Sequence, residues 1–117
     1  MARTSARRQH SAPQTAFDLL DPRVQEVVRK RGFTELSPAQ EQSIPRLLNG
    51  ENLILVAPTG TGKTESAMLP VFDRLLEITG AGFKAVYITP LRSLNRDILN
   101  RMEWWCRELG LSIGVRH

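Results

Sequence analysis

Residues 57–64, Ala57-Pro58-Thr59-Gly60-Thr61-Gly62-Lys63-Thr64, follow directly on the apolar run Leu53-Ile54-Leu55-Val56 and lead directly into a stretch with helical periodicity. A strand, a glycine-bearing turn and a helix in that order make a phosphate cradle. The turn points successive N–H groups inward, and the helix begins there with the positive end of its dipole. Lys63 adds a fixed charge, and Thr64 a hydroxyl able to ligate Mg²⁺. The pattern ordinarily opens with Gly. Ala57 stands at that place, so the match is to the relaxed form in which a small residue suffices. A glycine-rich structural turn is the plainer explanation, and the strand-loop-helix context weighs against it. Thr59, Gly60, Thr61, Gly62, Lys63 and Thr64 are therefore candidate nucleotide-binding residues; Lys63 and Thr64 are also the catalytic candidates, and Thr64 the metal ligand.

Composition narrows the class. At 117 residues and 41% hydrophobic content the chain is about one ordinary globular domain long. Its longest uninterrupted apolar stretch falls far short of the roughly 20 residues that cross a bilayer, and no charged-then-apolar signal segment opens it. The expectation is a soluble cytoplasmic protein without a membrane partner. The single cysteine, Cys106, has no companion for a disulfide and no Cys or His cluster for a metal, and reads as a buried thiol. His10 and His117 have no nearby partner that suggests catalysis. The net charge of +4 resembles a nucleic-acid signal until it is located: Arg3, Arg7 and Arg8 supply three of those charges, and no acid appears before Asp18. Residues 1–16 hold no large apolar side chain after Met1 and read as a disordered basic tail. Such a tail can touch nucleic acid nonspecifically. An organellar transit peptide shares its Arg-rich, acid-free composition but needs an apolar face that this tail lacks.

Punctuation along the rest of the chain predicts four helices and three strands. Asp21-Pro22 starts the first helix, Val24, Val27 and Val28 share one face, and Gly32 stops it. Ser37-Pro38 starts the second, with Ile44, Leu47 and Leu48 on its apolar side, Asn49-Gly50 as the stop, and an internal Pro45 that implies a kink or an early break. The third begins inside the phosphate loop, spaces Ala67, Met68, Val71, Phe72, Leu75 and Ile78 as one stripe, bends at Pro70 and ends at Thr79-Gly80-Ala81-Gly82. The fourth follows Pro90, repeats Leu94, Ile98, Trp105 and Leu109, and stops at Gly110. Adjacent Trp104 and Trp105 point about 100° apart on a helix, so one is core and the other exposed or covered by another domain. Strands are expected at residues 53–56, 84–89 and 111–115. Strands separated by helices imply the α/β class, a parallel sheet with right-handed crossovers in which phosphate loops sit at strand carboxyl ends.

Two further segments carry a family resemblance. Gly32-Phe33-Thr34-Glu35-Leu36-Ser37-Pro38-Ala39-Gln40, followed by Ile44-Pro45, resembles the Q motif that precedes the phosphate loop in superfamily 2 helicases, with Gln40 at the signature position. A side-chain amide accepts from the adenine amino group and donates to the neighbouring ring nitrogen, so one Gln can select adenine. Ser37 and Gln40 equally satisfy an S-x-x-Q capping box at a helix start, and the same amide atoms cannot serve both roles at once. Placement before the loop favours the adenine role. Phe17 resembles the upstream aromatic that stacks on adenine, although its spacing to Gly32 is shorter than in the common DEAD-box form, and a core anchor explains it as well. Thr89-Pro90-Leu91-Arg92-Ser93-Leu94-Asn95 resembles motif Ia, the loop that grips one strand of nucleic acid by its sugar-phosphate backbone. Pro90, Arg92, Ser93 and Asn95 are its candidate ligands, with Arg92 for a phosphate. A helix cap at Ser93 and a solvated Arg92 account for the same letters.

The form of motif Ia and Glu65 after Thr64 are similar to the large helicase-related (Lhr-type) group within the DEAD/DEAH-box-like helicases. The resemblance runs from about residue 17 to 117. It implies a partial RecA-like P-loop NTPase domain, with parallel strands, flanking helices and an incomplete sheet. It also implies ATP and Mg²⁺ as cofactors, single-stranded or duplex nucleic acid as partner with DNA favoured, and a second RecA-like domain outside this chain. No adjacent Asp-Glu pair, which in such helicases holds Mg²⁺ and activates water, occurs in the sequence. The expectation is therefore the N-terminal part of a first motor domain, able to bind but inactive alone, with strand edges left unpaired. A different P-loop NTPase explains Lys63 and Thr64 but neither of the other motifs. A noncatalytic nucleic-acid-binding or adaptor protein with a degenerate helicase fold remains the other class.

Overall fold

Local chemistry sets where the helices of this computed structural model start and stop. It describes residues 15–33, 35–58, 62–90 and 96–116. Among these the chain forms α1 (Ala16–Leu19), α2 (Pro22–Lys30), α3 (Pro38–Leu48), α4 (Lys63–Leu75) and α5 (Arg96–Leu109). Asp21 caps α2 by accepting the Arg23 N–H at 2.8 Å, with Pro22 in the first turn. Ser37 and Gln40 close the capping box on α3. A further box, Thr15 with Asp18, starts α1, which is too short to show a periodicity. The expected tail lies outside the described residues up to position 14, while Ala16 is already buried. Helices α2, α3 and α5 stop alike. The residue after a left-handed glycine donates back into the last turn, as Phe33 to the Val28 carbonyl, Glu51 to Arg46 and Leu111 to Cys106.

Neither internal proline breaks its helix: α3 runs through Pro45 and α4 through Pro70. Pro70 has no N–H for the Ser66 carbonyl one turn earlier. The Ser43 hydroxyl of α3 donates to that carbonyl at 3.4 Å, and both serines are buried in the contact between the two helices. At its far end α4 stops at Leu75, short of Ile78, which is exposed.

Helix α3 packs along α4, α1 lies on α3, and α2 touches both α4 and α5. They enclose Leu20, Val24, Val28, Ile44, Leu48, Leu69, Phe72 and Trp105. Trp105 stacks on Phe72 with 6.0 Å between ring centres and meets Trp104 edge-on at 5.3 Å. As the spacing predicts, one tryptophan is core; the other is half-buried, with the Arg31 guanidinium over its ring at 4.9 Å. Cys106 is a buried free thiol.

The buried face of α4 is rotated from the expected stripe. It consists of Glu65, Ser66, Leu69, Pro70, Phe72 and Asp73, while Ala67 is exposed and Met68 and Val71 are half-buried. The polar residues sit inside because each finds a partner. The Asp73 carboxylate accepts the Asp21 N–H at the start of α2, the Ser66 hydroxyl donates to the Gly62 carbonyl at 3.0 Å, and Glu65 meets Arg101 at 3.2 Å.

The expected parallel sheet is not formed among the described residues. Residues 53–56, 84–89 and 111–115 carry no strand ladder there, and Ile54, Val56 and Ile88 are 91%, 89% and 87% exposed. A strand is held by hydrogen bonds to a neighbouring strand, which its own residues cannot supply. The alternating pattern identifies the three segments, and none of them pairs with another here. Glu65 and Phe72 on α4 meet Arg101 and Trp105 on α5 in the same order, so the two helices run in the same direction.

Candidate functional site

The phosphate loop joins α4 at Gly62, which is left-handed with φ 77° and ψ 31°. A side chain at this position is strained by the backbone alone. No side chain caps α4, so the N–H groups of Lys63, Thr64 and Glu65 point out of the helix start without an intrahelical acceptor. The first amide to be satisfied within the helix is that of Ser66, which donates to the Gly62 carbonyl at 2.9 Å. Lys63 and Thr64 are half-buried at this end. The arrangement suits an anion: uncapped amides, the positive end of a thirteen-residue helix and an adjacent ammonium. Thr59, Gly60 and Thr61 lie outside the described residues.

Gln40 reaches this junction from α3. Its Oε1 accepts the Ser37 N–H at 3.0 Å, and its Nε2 donates to the Gly62 carbonyl at 3.2 Å. Those two partners, one donor and one acceptor, fix which end of the amide is which. Gln40 is 5% exposed. It presses so closely on the loop that a Cβ built on Gly62 would lie 2.3 Å from its Nε2. The Gly62 carbonyl thus gathers three donors, the Ser66 amide and hydroxyl from its own helix and the Gln40 amide from the neighbouring one. Both atoms with which Gln40 would read adenine are engaged in this arrangement, the carbonyl in the capping box and the amine on the loop.

Phe17 is half-buried and packs against the core. The adjacent Ala16 N–H donates to Glu41 at 3.2 Å, which brings α1 to the same end of α3 as Gln40. The Arg29 guanidinium lies over the Phe17 ring at 5.0 Å. Arg29 is one of four cations on or beside α2, and each has a partner: Arg23 with Asp21 at 3.0 Å, Lys30 with Glu108 at 2.7 Å, and Arg31 with Trp104. This basic run serves intramolecular contacts. Pro90 is exposed; Arg92, Ser93 and Asn95 lie outside the described residues.

Among the described residues no group of three or more His, Cys, Asp or Glu gathers to hold a metal ion. Nor is any described helix long and apolar enough to cross a membrane. An open depression of about 490 Å³ lies toward the opposite end of α3, lined by Leu19, Gln42, Pro45, Arg46, Asn49 and Glu51, and none of the predicted site residues lines it. Sequence reasoning missed Ser43 and Ser66 as the buried tie between α3 and α4. The available signal was Pro70, since a proline inside a helix frees a carbonyl that some other donor must satisfy.

Comparison with known proteins gives the same frame. The family profile described as DEAD/DEAH box helicase matches residues 37–116, more than half of the chain. The ATP-dependent DNA helicase Hel308 of Pyrococcus horikoshii is 38% identical over 97 residues, which cover 82% of this chain and 13% of that protein. Hel308 of Pyrococcus abyssi is 38% identical over 94 residues, 80% of this chain and 13% of its own. The probable ATP-dependent RNA helicase DDX52 of Rattus norvegicus is 38% identical over 79 residues, 68% of this chain and 13% of its own. The chain therefore spans about an eighth of the length of these relatives. No solved structure matches it. With the matched region running from the cap of α3, through the uncapped start of α4 and the whole of α5, to residue 116, this chain belongs to the DEAD/DEAH box helicase family.

Proposed function

We propose that this chain is the nucleotide-binding portion of the first RecA-like motor domain of an ATP-dependent helicase, acting in the cytoplasm on nucleic acid, with DNA preferred. The observation that carries the reading is the junction at Gly62: a left-handed glycine, an uncapped helix start and Lys63 beside it. Lys63 would face the β- and γ-phosphates, Thr64 would ligate Mg²⁺, and residues 59–62 would wrap the β-phosphate. Bound ATP supplies the phosphoryl group for transfer. This chain's residues bind and orient it, and turnover in this reading needs an adjacent Asp-Glu pair, which the sequence lacks, and arginines from a second RecA-like domain. Gln40 is the adenine reader in this proposal, exchanging its contacts to Ser37 and Gly62 for the base, with Phe17 alongside. Pro90, Arg92, Ser93 and Asn95 form the nucleic-acid grip. The Pro-Leu-Arg-Ser-Leu-Asn form of that grip and Glu65 after Thr64 support the Lhr-type group; Hel308, a DNA helicase by name, supports DNA, while DDX52 by its name supports RNA.

The test is Mg²⁺-dependent binding of a fluorescent ATP analogue to the 117-residue chain and to Lys63→Ala. Loss of a charge-assisted contact costs about 2 kcal/mol, or roughly thirtyfold in affinity. Equal affinity in the two proteins would remove the phosphate-loop assignment.

A further inference from the structure

Ser66 is the fourth residue of α4 and is 0% exposed. A helical serine commonly turns its hydroxyl back onto the carbonyl four residues earlier, which bends the helix slightly. Here that carbonyl belongs to Gly62, the left-handed residue at the helix start, and the bond measures 3.0 Å. The same oxygen takes the Ser66 amide at 2.9 Å and the Gln40 side-chain amide at 3.2 Å. The backbone amide is the ordinary opening bond of a helix. The two side-chain donors are additional, and with only two lone pairs on the oxygen three donors saturate it. The Gly62 carbonyl and the Lys63 N–H belong to one planar peptide group and point in opposite directions. Whatever holds the carbonyl inward therefore holds that N–H outward, at the uncapped helix end. A donor on the carbonyl also polarises the group and strengthens its N–H as a donor. The two side-chain struts differ in where they come from. Gln40 reaches over from α3 and gives up Gly62 when it turns to adenine, as proposed above. Ser66 is carried by α4 itself, where its own carbonyl accepts the Ser43 hydroxyl at 3.4 Å.

We propose that Ser66 is a positioning residue of the phosphate site: its hydroxyl keeps the Gly62–Lys63 peptide group in place, with the Lys63 N–H directed at the anion, once Gln40 has left the Gly62 carbonyl for the base. The inference rests on the nucleotide-site reading above and on the adenine role of Gln40 within it. Fully buried, Ser66 meets neither phosphate nor base, and acts only through the peptide group it holds.

The experiment measures the affinity of the 117-residue chain for a ribose-labelled fluorescent ATP analogue and, by calorimetry, for tripolyphosphate, both with Mg²⁺. Wild type is compared with Ser66→Ala, Ser43→Ala, Gln40→Ala and the Gln40→Ala, Ser66→Ala double variant. Tripolyphosphate has no base, so Gln40 stays on the Gly62 carbonyl. Ser66→Ala is expected to weaken the ATP analogue about fivefold, the equivalent of one ordinary hydrogen bond, and tripolyphosphate by less than about twofold. In the Gln40→Ala background the same substitution weakens tripolyphosphate about fivefold as well. Ser43→Ala removes a buried hydroxyl from the same helix contact but leaves the Gly62 carbonyl its donors. It lowers the melting temperature without weakening either ligand. Wild-type affinity of Ser66→Ala for the ATP analogue overturns the proposal. So does an equal loss in Ser43→Ala, which marks a purely structural serine, or an equal loss for both ligands in Ser66→Ala, which removes Gln40 from the account. Wild type that binds neither ligand is instead a failure of the phosphate-loop reading. The hold on the peptide group is then decided by the Lys63 amide nitrogen resonance of the unliganded chain. To sustain the proposal it must move further on Ser66→Ala than on Ser43→Ala, both in the Gln40→Ala background.

Discussion

Gln40 shows how one side chain can satisfy two opposed readings. Its amide completes the cap of α3 and at the same time braces the Gly62 carbonyl, so it is a structural strut in this arrangement, and the adenine role proposed for it requires that both contacts be exchanged. The two roles separate by measurement. Gln40→Ala is expected to narrow the ATP-over-GTP preference in competition binding, while loss of the cap contact lowers stability by about 1 kcal/mol. If the stability loss appears and the preference survives intact, the cap is the whole of its role. Cys106 offers a second residue-scale prediction. Burial pushes its thiol above the usual 9.0, and the nearby Glu103 charge pushes it further. A raised folded pKa favours the protonated thiol, so this contribution to stability is complete below the ordinary thiol value and is lost as pH rises through it toward the raised one. Melting temperature should drop on crossing from neutral pH to above 9.0, and the drop should shrink in Cys106→Ala. An unchanged drop would place the titrating group elsewhere.

Helix α4 illustrates a conflict between periodicity and polarity. Its sequence offers an apolar row at Ala67, Met68 and Val71, yet it buries Glu65, Ser66 and Asp73 against the other helices. Apolar letters mark only an apolar face, whereas α4 buries a face whose polar groups find partners in the neighbouring helices. The second face is recognisable from its bonds. Ser43→Ala is expected to cost about 1 to 3 kcal/mol in denaturant unfolding, because the Ser66 carbonyl loses its donor inside the contact with α3. Pro70→Ala returns an N–H to α4 that can reach the same carbonyl, so the cost of Ser43→Ala should be smaller in that background. Additive effects of the two substitutions would refute the assignment of that bond.

On the scale of the whole chain, a helical layer with its own core coexists with apolar segments that nothing among the described residues covers. Ile54, Val56, Phe83 and Ile88 are each more than four-fifths exposed. Unpaired apolar segments of this kind associate. Sedimentation velocity should show concentration-dependent self-association of the 117-residue chain, dispersed by Ile54→Lys combined with Ile88→Lys, and the purified chain should show no nucleic-acid-stimulated ATP hydrolysis. A monomer that hydrolyses ATP faster with single-stranded DNA would contradict both statements. The starts of α2 and α3, their capping residues Asp21 and Ser37 and the core valines of α2 were legible in the letters because their interactions close within about four residues along the chain. The DEAD/DEAH box helicase family was legible for a related reason, since the resemblance to it rests on short stretches of adjacent residues. The choice between cap and adenine for Gln40, the inward turn of Glu65, and the tie from Ser43 to Ser66 were not legible. Each depends on an atom from a distant part of the chain, and only packing brings Gly62 to Gln40 or Arg101 to Glu65. The strand segments show the same limit. Alternation announces which residues seek a sheet, but a ladder exists only where another strand lies alongside.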